Sequence, residues 1–351
     1  MSIQYVSVQW NAKKRVYDIC LMTGIGFFIA AYLGVSFIVF TGEAALSPMI
    51  LLIRAFATCA FVMLTLILCI GPLCRLAPVC LPLLYNRRHF GVSMFFVALV
   101  HGVLAILWYH GFGVENPLVS LFSMPDSINS FADLPFQPFG FIALLILLLM
   151  AATSHDYWNA NLGPLLWKSL HMLVYLAYGL VVLHLAAGAM QESNTGIHPL
   201  FVAASVLLVG GLHLTAGMRE TQVDGASSVQ GAEWLDVGCW QDIENNRGIV
   251  VSPPNGERIA IFRYDESRIA AVGNACKHQL GPLGEGRVID GCITCPWHGY
   301  QYRPEDGAAP APFTEKIPTY RVKLDGDRIL LDPTPLPDGT SREIAVIGGI
   351  R

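Results

Sequence analysis

The sequence predicts a multidomain membrane protein in which a six-helix transmembrane bundle precedes a small all-β sandwich. Three observations carry this reading. The 351-residue chain is 54% hydrophobic and only 14% charged, and its mean hydropathy is +0.50, a balance typical of membrane proteins. The apolar excess stops near residue 217. Beyond it come short alternating runs separated by turn residues, the pattern of half-buried strands. The expected division is 15–217 for the transmembrane domain, 218–232 for a polar linker rich in Gly, Ser, Thr and Gln, 233–333 for the sandwich and 334–351 for a C-terminal tail.

Six segments, 19–40, 49–70, 91–109, 139–152, 167–187 and 199–217, are apolar enough to cross a hydrocarbon core of roughly 30 Å as helices. The fourth is the shortest, and it gains length if Pro138 sits in its first turn, where a missing N–H costs little. Lys13, Lys14 and Arg15 before the first run give it the look of a signal peptide. The run is too long for that and no clear cleavage site follows, so it is expected to be an uncleaved span.

One set of loop flanks holds Lys13, Lys14, Arg15, Arg75, Arg87, Arg88, Lys168 and Arg219, whereas the opposite set has only Arg54. Both termini and the sandwich should therefore be cytoplasmic. Net charge is −4 with no basic tract outside the membrane flanks, which excludes nucleic acid as a partner and leaves the lipid bilayer as the first one. Cys20, Cys59, Cys69, Cys74 and Cys80 lie in or beside apolar segments and read as small hydrophobes.

The chemistry is concentrated in Cys276-Lys-His278, sixteen residues, then Cys295-Pro-Trp-His298. Two thiols and two imidazoles at this spacing form the ligand set of a Rieske [2Fe–2S] centre, in which two histidines replace two cysteines on one iron and raise its potential. Mononuclear zinc accepts the same ligands and is the competing reading. The wider pattern, C-K-H-Q-L-G-P-L followed by C-P-W-H-G-Y-Q-Y, resembles Rieske ferredoxins and Rieske oxygenase domains over about a hundred residues. That resemblance favours iron and implies two ligand loops at one end of the sandwich.

It further implies a ferredoxin-like centre without a disulfide, since Gly281 and Trp297 stand where respiratory members carry two more cysteines. Gly281, Pro282 and Gly299 are expected to shape the loops. Tyr300 and Tyr302 are candidates either for contacts around the cluster or for ordinary core packing. No facial-triad domain follows residue 333, so the chain is not expected to be an oxygenase by itself.

Ionisable residues within spans are the second signal. His101 lies in the third span, and His171 and His184 lie in the fifth. Imidazole is a usual axial ligand of haem between helices, the bland alternative being a helix–helix hydrogen bond. The stretches Arg87-Arg88-His89-Phe90-Gly91…His101 and Leu162-Gly-Pro-Leu-Leu-Trp-Lys-Ser-Leu-His171…His184 resemble the ferric-reductase-like transmembrane domain. The resemblance implies a six-helix transmembrane haem bundle with one or two b-type haems, His101 and His184 holding the outer one and His171 serving the inner one.

Where the superfamily has another histidine on the third span, this chain has Arg87 and Arg88, so the inner haem's second ligand falls to His213 ahead of His89. The two arginines themselves read as positive-inside anchors. Thirteen helical steps leave His171 and His184 roughly 140° apart on a straight helix, and a distortion at Gly179 is expected to reconcile them. Depth is a second mismatch: His101 is about 15 Å and His184 about 25 Å from the start of its span. His110 and His198 at the outer interface and His155 in a cytoplasmic loop read as solvated positions.

The expected function is transmembrane electron transfer by an oxidoreductase component. A cytoplasmic donor, a reductase or ferredoxin, feeds the Rieske cluster, then b-type haem, then a periplasmic or extracellular acceptor across a plasma or bacterial inner membrane. No acid–base catalytic residue is expected. Two alternatives use the same residues: inward flow from a quinol or periplasmic donor to a Rieske-dependent partner, with quinone a further candidate partner, and a membrane redox sensor without turnover.

Overall fold

A computed structural model describes residues 12–42, 46–80, 82–123, 135–191, 197–226, 234–253, 256–297, 299–311 and 313–348. Contacts divide the chain into two compact units, Met1–Ile70 with Asn86–Gly211, and Gly71–Tyr85 with Leu212–Arg351. The helices are α1 (Ala12–Val39), α2 (Pro48–Leu76), α3 (Pro82–Tyr85), α4 (Arg87–His110), α5 (Pro117–Leu121), α6 (Gln137–Ala152), α7 (Asp156–Leu162), α8 (Pro164–His171), α9 (Leu173–Gln191) and α10 (Ile197–Ala226).

Among the described residues five stretches are long and apolar enough to span a bilayer: Lys14–Val39, Pro48–Leu76, Arg87–His110, Leu165–Gly188 and Pro199–Thr221. The expected six spans thus become five long ones and α6, whose 16 residues reach only about 24 Å. Pro138 does sit in its first turn. Large apolar side chains on α1, among them Ile19, Phe27, Phe37 and Ile38, are exposed, as a lipid-facing surface requires. α10 runs to Ala226, through residues that the sequence reads as the start of the linker.

In the first unit α6 packs most extensively along α9 and then α4. Glycine permits the approach: a Cβ on Gly102 of α4 would lie 2.8 Å from Leu144 of α6, and one on Gly140 of α6 would lie 2.7 Å from the His184 ring of α9. The fifth span is broken at Met172 rather than distorted at Gly179, and α9 continues unbroken past Gly179. The cause is local. His171 Nδ1 bonds the Trp167 carbonyl at 3.0 Å, competing with the helix ladder, and Tyr175 N closes a tight turn onto Met172 O at 3.2 Å.

In the second unit the strands are β1 (Leu235–Cys239), β2 (Arg247–Val251), β3 (Ile259–Tyr264), β4 (Arg268–Gly273), β5 (Arg287–Ile289), β6 (Cys292–Thr294), β7 (Gln301–Tyr302), β8 (Thr319–Tyr320), β9 (Val322–Asp325), β10 (Arg328–Leu331) and β11 (Ala345–Val346). They form a three-stranded sheet, β1-β10-β9, and a larger one, β11-β4-β3-β2-β5-β6-β7, with β8 also on β4. β11 lies inside the expected tail and pairs with β4, so that segment completes the larger sheet.

β3 decides how the two cores divide. Its period of two sends Ala260, Phe262 and Tyr264 into a core shared with Cys276 and Cys295, and Ile259 and Ile261 into a second core with Leu235, Ile329 and Leu331 of the small sheet. Both faces of the strand are buried, and a one-residue slip would exchange them.

Within this unit, Glu220 Oε1 of α10 lies 3.2 Å from Arg75 Nη1 and 3.7 Å from Arg258 Nη1. Arg219 Nη1 donates to the terminal α2 carbonyls of Arg75 and Leu76 at 3.2 and 2.9 Å. Gly307 has φ +66, and a Cβ there would meet the Ile317 carbonyl oxygen at 2.4 Å. Gly307→Ala is therefore expected to destabilise the β domain by about 3 kcal/mol, read as a lowered midpoint of thermal unfolding by near-UV circular dichroism.

Candidate metal centres

The β domain gathers its thiols from two loops. The first follows β4 and is pinned at its base by Asn274, whose side chain accepts from Gly284 N at 2.8 Å and whose carbonyl accepts from Leu283 N at 2.8 Å. Within it, Leu280 N bonds Cys276 O at 2.7 Å and Cys276 N bonds Gly281 O at 2.9 Å. The second loop closes the β6–β7 hairpin, where Cys295 N bonds Tyr300 O at 2.7 Å and Gly299 N bonds Cys295 O at 2.9 Å.

This folding buries both thiols, Cys276 at 1% and Cys295 at 2% exposure. The Cys276 thiol is drawn down to about 7, chiefly by its hydrogen bond with Cys295, against the opposing effect of burial and with help from Tyr302 and the amides of His278 and Gln279. A thiol that ionises readily at neutral pH suits a metal ligand. Tyr302 O–H lies 3.5 Å from Cys276 Sγ and accepts from Lys277 N at 2.9 Å. Tyr302 is thus a contact of the site as well as a core residue.

A Cβ on Gly281 would come within 2.8 Å of Cys295 Sγ and 3.1 Å of the Trp297 ring. The two positions where the resemblance implies a disulfide in respiratory proteins are thus neighbours here, and the indole takes up the space. His278 stacks on Tyr300, with centroids 5.2 Å apart and planes 7° from parallel, and its Nδ1 is buried. His298, the fourth expected ligand, lies outside the described residues.

The membrane unit brings His101 of α4 and His184 of α9 to a single cavity of about 330 Å³ between α2, α4, α6 and α9. Their ring centroids are 6.3 Å apart at 73°. His101 Nδ1 bonds Ile53 O at 3.1 Å and His184 Nδ1 bonds Phe136 O at 2.8 Å. A carbonyl can only accept, so each Nδ1 carries the proton and each Nε2 keeps its lone pair, the form in which imidazole binds metal. The depth mismatch persists: α4 begins at Arg87, which puts His101 about 21 Å along its helix, and α8 begins at Pro164, which puts His184 about 30 Å along the fifth span.

Ile53, Phe136 and Gly140 were not singled out by sequence reasoning, and only Gly140, a glycine within an apolar helical run, left a signal. Gly140→Ala is expected to displace the His184 imidazole at a cost of about 1–3 kcal/mol, measurable as a lower melting temperature in detergent.

His171 ends α8, stacked on Trp167 with centroids 3.8 Å apart at 26°. Its Nδ1 is on the Trp167 carbonyl, and its buried Nε2 has no hydrogen-bond partner among the described residues. A buried basic nitrogen left without a hydrogen bond is free to take a metal, and here it lies in the field of Arg87 and Arg88. His89 Nδ1 is engaged with Asp18 at 2.8 Å. His213 is half-buried on α10, in the second unit. His110, read from sequence as solvated, is only 9% exposed and bonds Ser120 Oγ at 2.9 Å. The described structure does not cover the His198 side chain.

With this geometry in view, the chain belongs to the Rieske [2Fe-2S] domain family, whose model matches residues 233–321; residues 55–182 match the model of the ferric reductase like transmembrane component. The ferredoxin component of a naphthalene 1,2-dioxygenase/salicylate 5-hydroxylase system from Ralstonia sp. is 32% identical over 28% of this chain and 93% of its own length. The protein-methionine-sulfoxide reductase heme-binding subunit MsrQ of Polaromonas naphthalenivorans is 28% identical over 57% of this chain and 82% of its own. Cholesterol 7-desaturase nvd of Xenopus laevis is 39% identical over 18% of this chain, which spans only 15% of that relative's length.

Proposed function

We propose that the protein is a one-chain electron conduit, passing electrons singly from a cytoplasmic donor, a reductase or ferredoxin, through a Rieske centre and membrane b-type haem to a periplasmic or extracellular acceptor. The observation that carries this reading is that one chain holds both the thiol pair Cys276 and Cys295 and two imidazoles sharing an apolar cavity. In this reading Cys276, His278, Cys295 and His298 hold the cluster, His101 and His184 the outer haem, and His171 serves the inner one.

The imidazole pair would hold haem iron through its two unprotonated Nε2 atoms, the ring centroids being 6.3 Å apart. Cluster and haem, when bound, supply one-electron carriage. The chain does the positioning. The carbonyls of Ile53, Phe136 and Trp167 fix the histidine tautomers, α6 seals the cavity, and Tyr302 meets Cys276 Sγ.

The Lys and Arg distribution supports cytoplasmic termini and a cytoplasmic β domain in a plasma or bacterial inner membrane. The functional division at 15–217, 218–232, 233–333 and 334–351 follows this assignment. A potentiometric titration with iron and haem counted tests the reading. A cluster potential below that of the haem, with haem reduced promptly after the cluster, is expected. The opposite order would reverse the direction, and haem that never exchanges electrons with the cluster would sink the conduit.

A further inference from the structure

The Tyr300 ring lies over the His278 ring almost in parallel, with centroids 5.2 Å apart and planes at 7°. Its hydroxyl donates to Glu315 Oε2. That same carboxylate oxygen accepts from Thr314 N at 3.1 Å, and the Glu315 main-chain carbonyl accepts from Ala309 N at 2.9 Å, which fixes the backbone beneath it. Tyr300 in turn packs against Phe313 at 5.0 Å and against Tyr302 at 5.4 Å. The phenol therefore has one orientation, set by a carboxylate fifteen residues along the chain. Burial and that carboxylate both push the Tyr300 hydroxyl up, keeping it a donor.

We infer that Tyr300 and Glu315 form a positioning pair for His278, in which the phenol fixes the imidazole plane and the carboxylate sets the electrostatic potential at the centre. This rests on the reading of His278 as an iron ligand. A ring lying flat on an imidazole resists its rotation, and rotation of a ligand ring changes its overlap with the metal. A carboxylate hydrogen-bonded to that phenol places fixed negative charge one side chain away from the imidazole. Negative charge near an iron–sulfur centre favours its oxidised form and lowers its potential. The pair thus acts on where the centre sits in an electron-transfer sequence, through the ligand and without touching the iron.

The test uses the full-length protein in detergent. Four variants, His278→Ala, Glu315→Gln, Tyr300→Phe and Tyr300→Leu, are compared by iron content, the electron paramagnetic resonance spectrum of the reduced cluster and its midpoint potential. Glu315→Gln is expected to keep full iron and shift the midpoint upward. Tyr300→Phe, which keeps the ring and loses the tether, is expected to keep the g values and shift the midpoint in the same direction. Tyr300→Leu is expected to change the g values.

Full iron with wild-type g values and midpoint in both Glu315→Gln and Tyr300→Phe would overturn the pair, and these two conservative variants decide the matter if Tyr300→Leu does not fold. A Rieske-type spectrum surviving in His278→Ala would instead overturn the ligand reading beneath it. Loss of that spectrum, with unaltered Glu315 and Tyr300 variants, defeats the pair alone.

Discussion

His184→Ala is expected to remove one b-type haem per chain while leaving the [2Fe–2S] signal at full intensity. The ring it deletes shares a cavity with His101 at 6.3 Å. Without it the cavity keeps His101, with His110 also in its lining, and the imidazole pair that would hold haem is lost. The change also strands the Phe136 carbonyl, which loses its 2.8 Å partner at the start of α6, at a cost of about 1–3 kcal/mol. Pyridine haemochrome quantification beside low-temperature resonance spectroscopy separates the outcomes. Undiminished haem content would show that His184 is only a helix–helix hydrogen-bonding residue.

Cys276→Ala is expected to abolish the cluster, removing both irons, while haem content stays at the wild-type level and reduction of haem through the cluster ceases. Cys276 is buried at 1% exposure and bonded to both Cys295 and Tyr302, so its loss takes an iron ligand and leaves two polar groups facing a void. The domain itself should survive. Its second core, around Ile259, Ile261, Ile329 and Leu331, contains no residue of either ligand loop, and the stability a metal supplies falls on the loops it joins. Iron analysis and circular dichroism of the purified protein check this. Retention of two irons would mean that another residue holds the cluster, and loss of haem as well would contradict two independent modules.

Much of this molecule was legible in short-range pattern. The period of two beyond residue 217 marked a strand-built domain, because alternation along a strand is written in consecutive side chains. It missed β7 and β11, two residues each, which exist only because a partner strand lies beside them. The C-x-H…C-x-x-H spacing was legible for the same reason, since each half is a local loop carrying its own donors. Glu315 was not. Its contact with Tyr300 spans fifteen residues and obeys no period.

The apolar runs by themselves determined that helices cross a membrane, since a hydrocarbon slab tests only length and hydropathy. They could not determine the break at Met172, which depends on a histidine bonding back to Trp167. Sequence also supplied His101 and His184 as candidates, each from its own span. Only tertiary structure brought rings 83 residues apart to one cavity and showed which carbonyl accepts from which ring nitrogen. The division has one physical cause: backbone geometry repeats every two or 3.6 residues and so appears in the sequence, whereas a site assembled between helices depends on how every intervening segment packs.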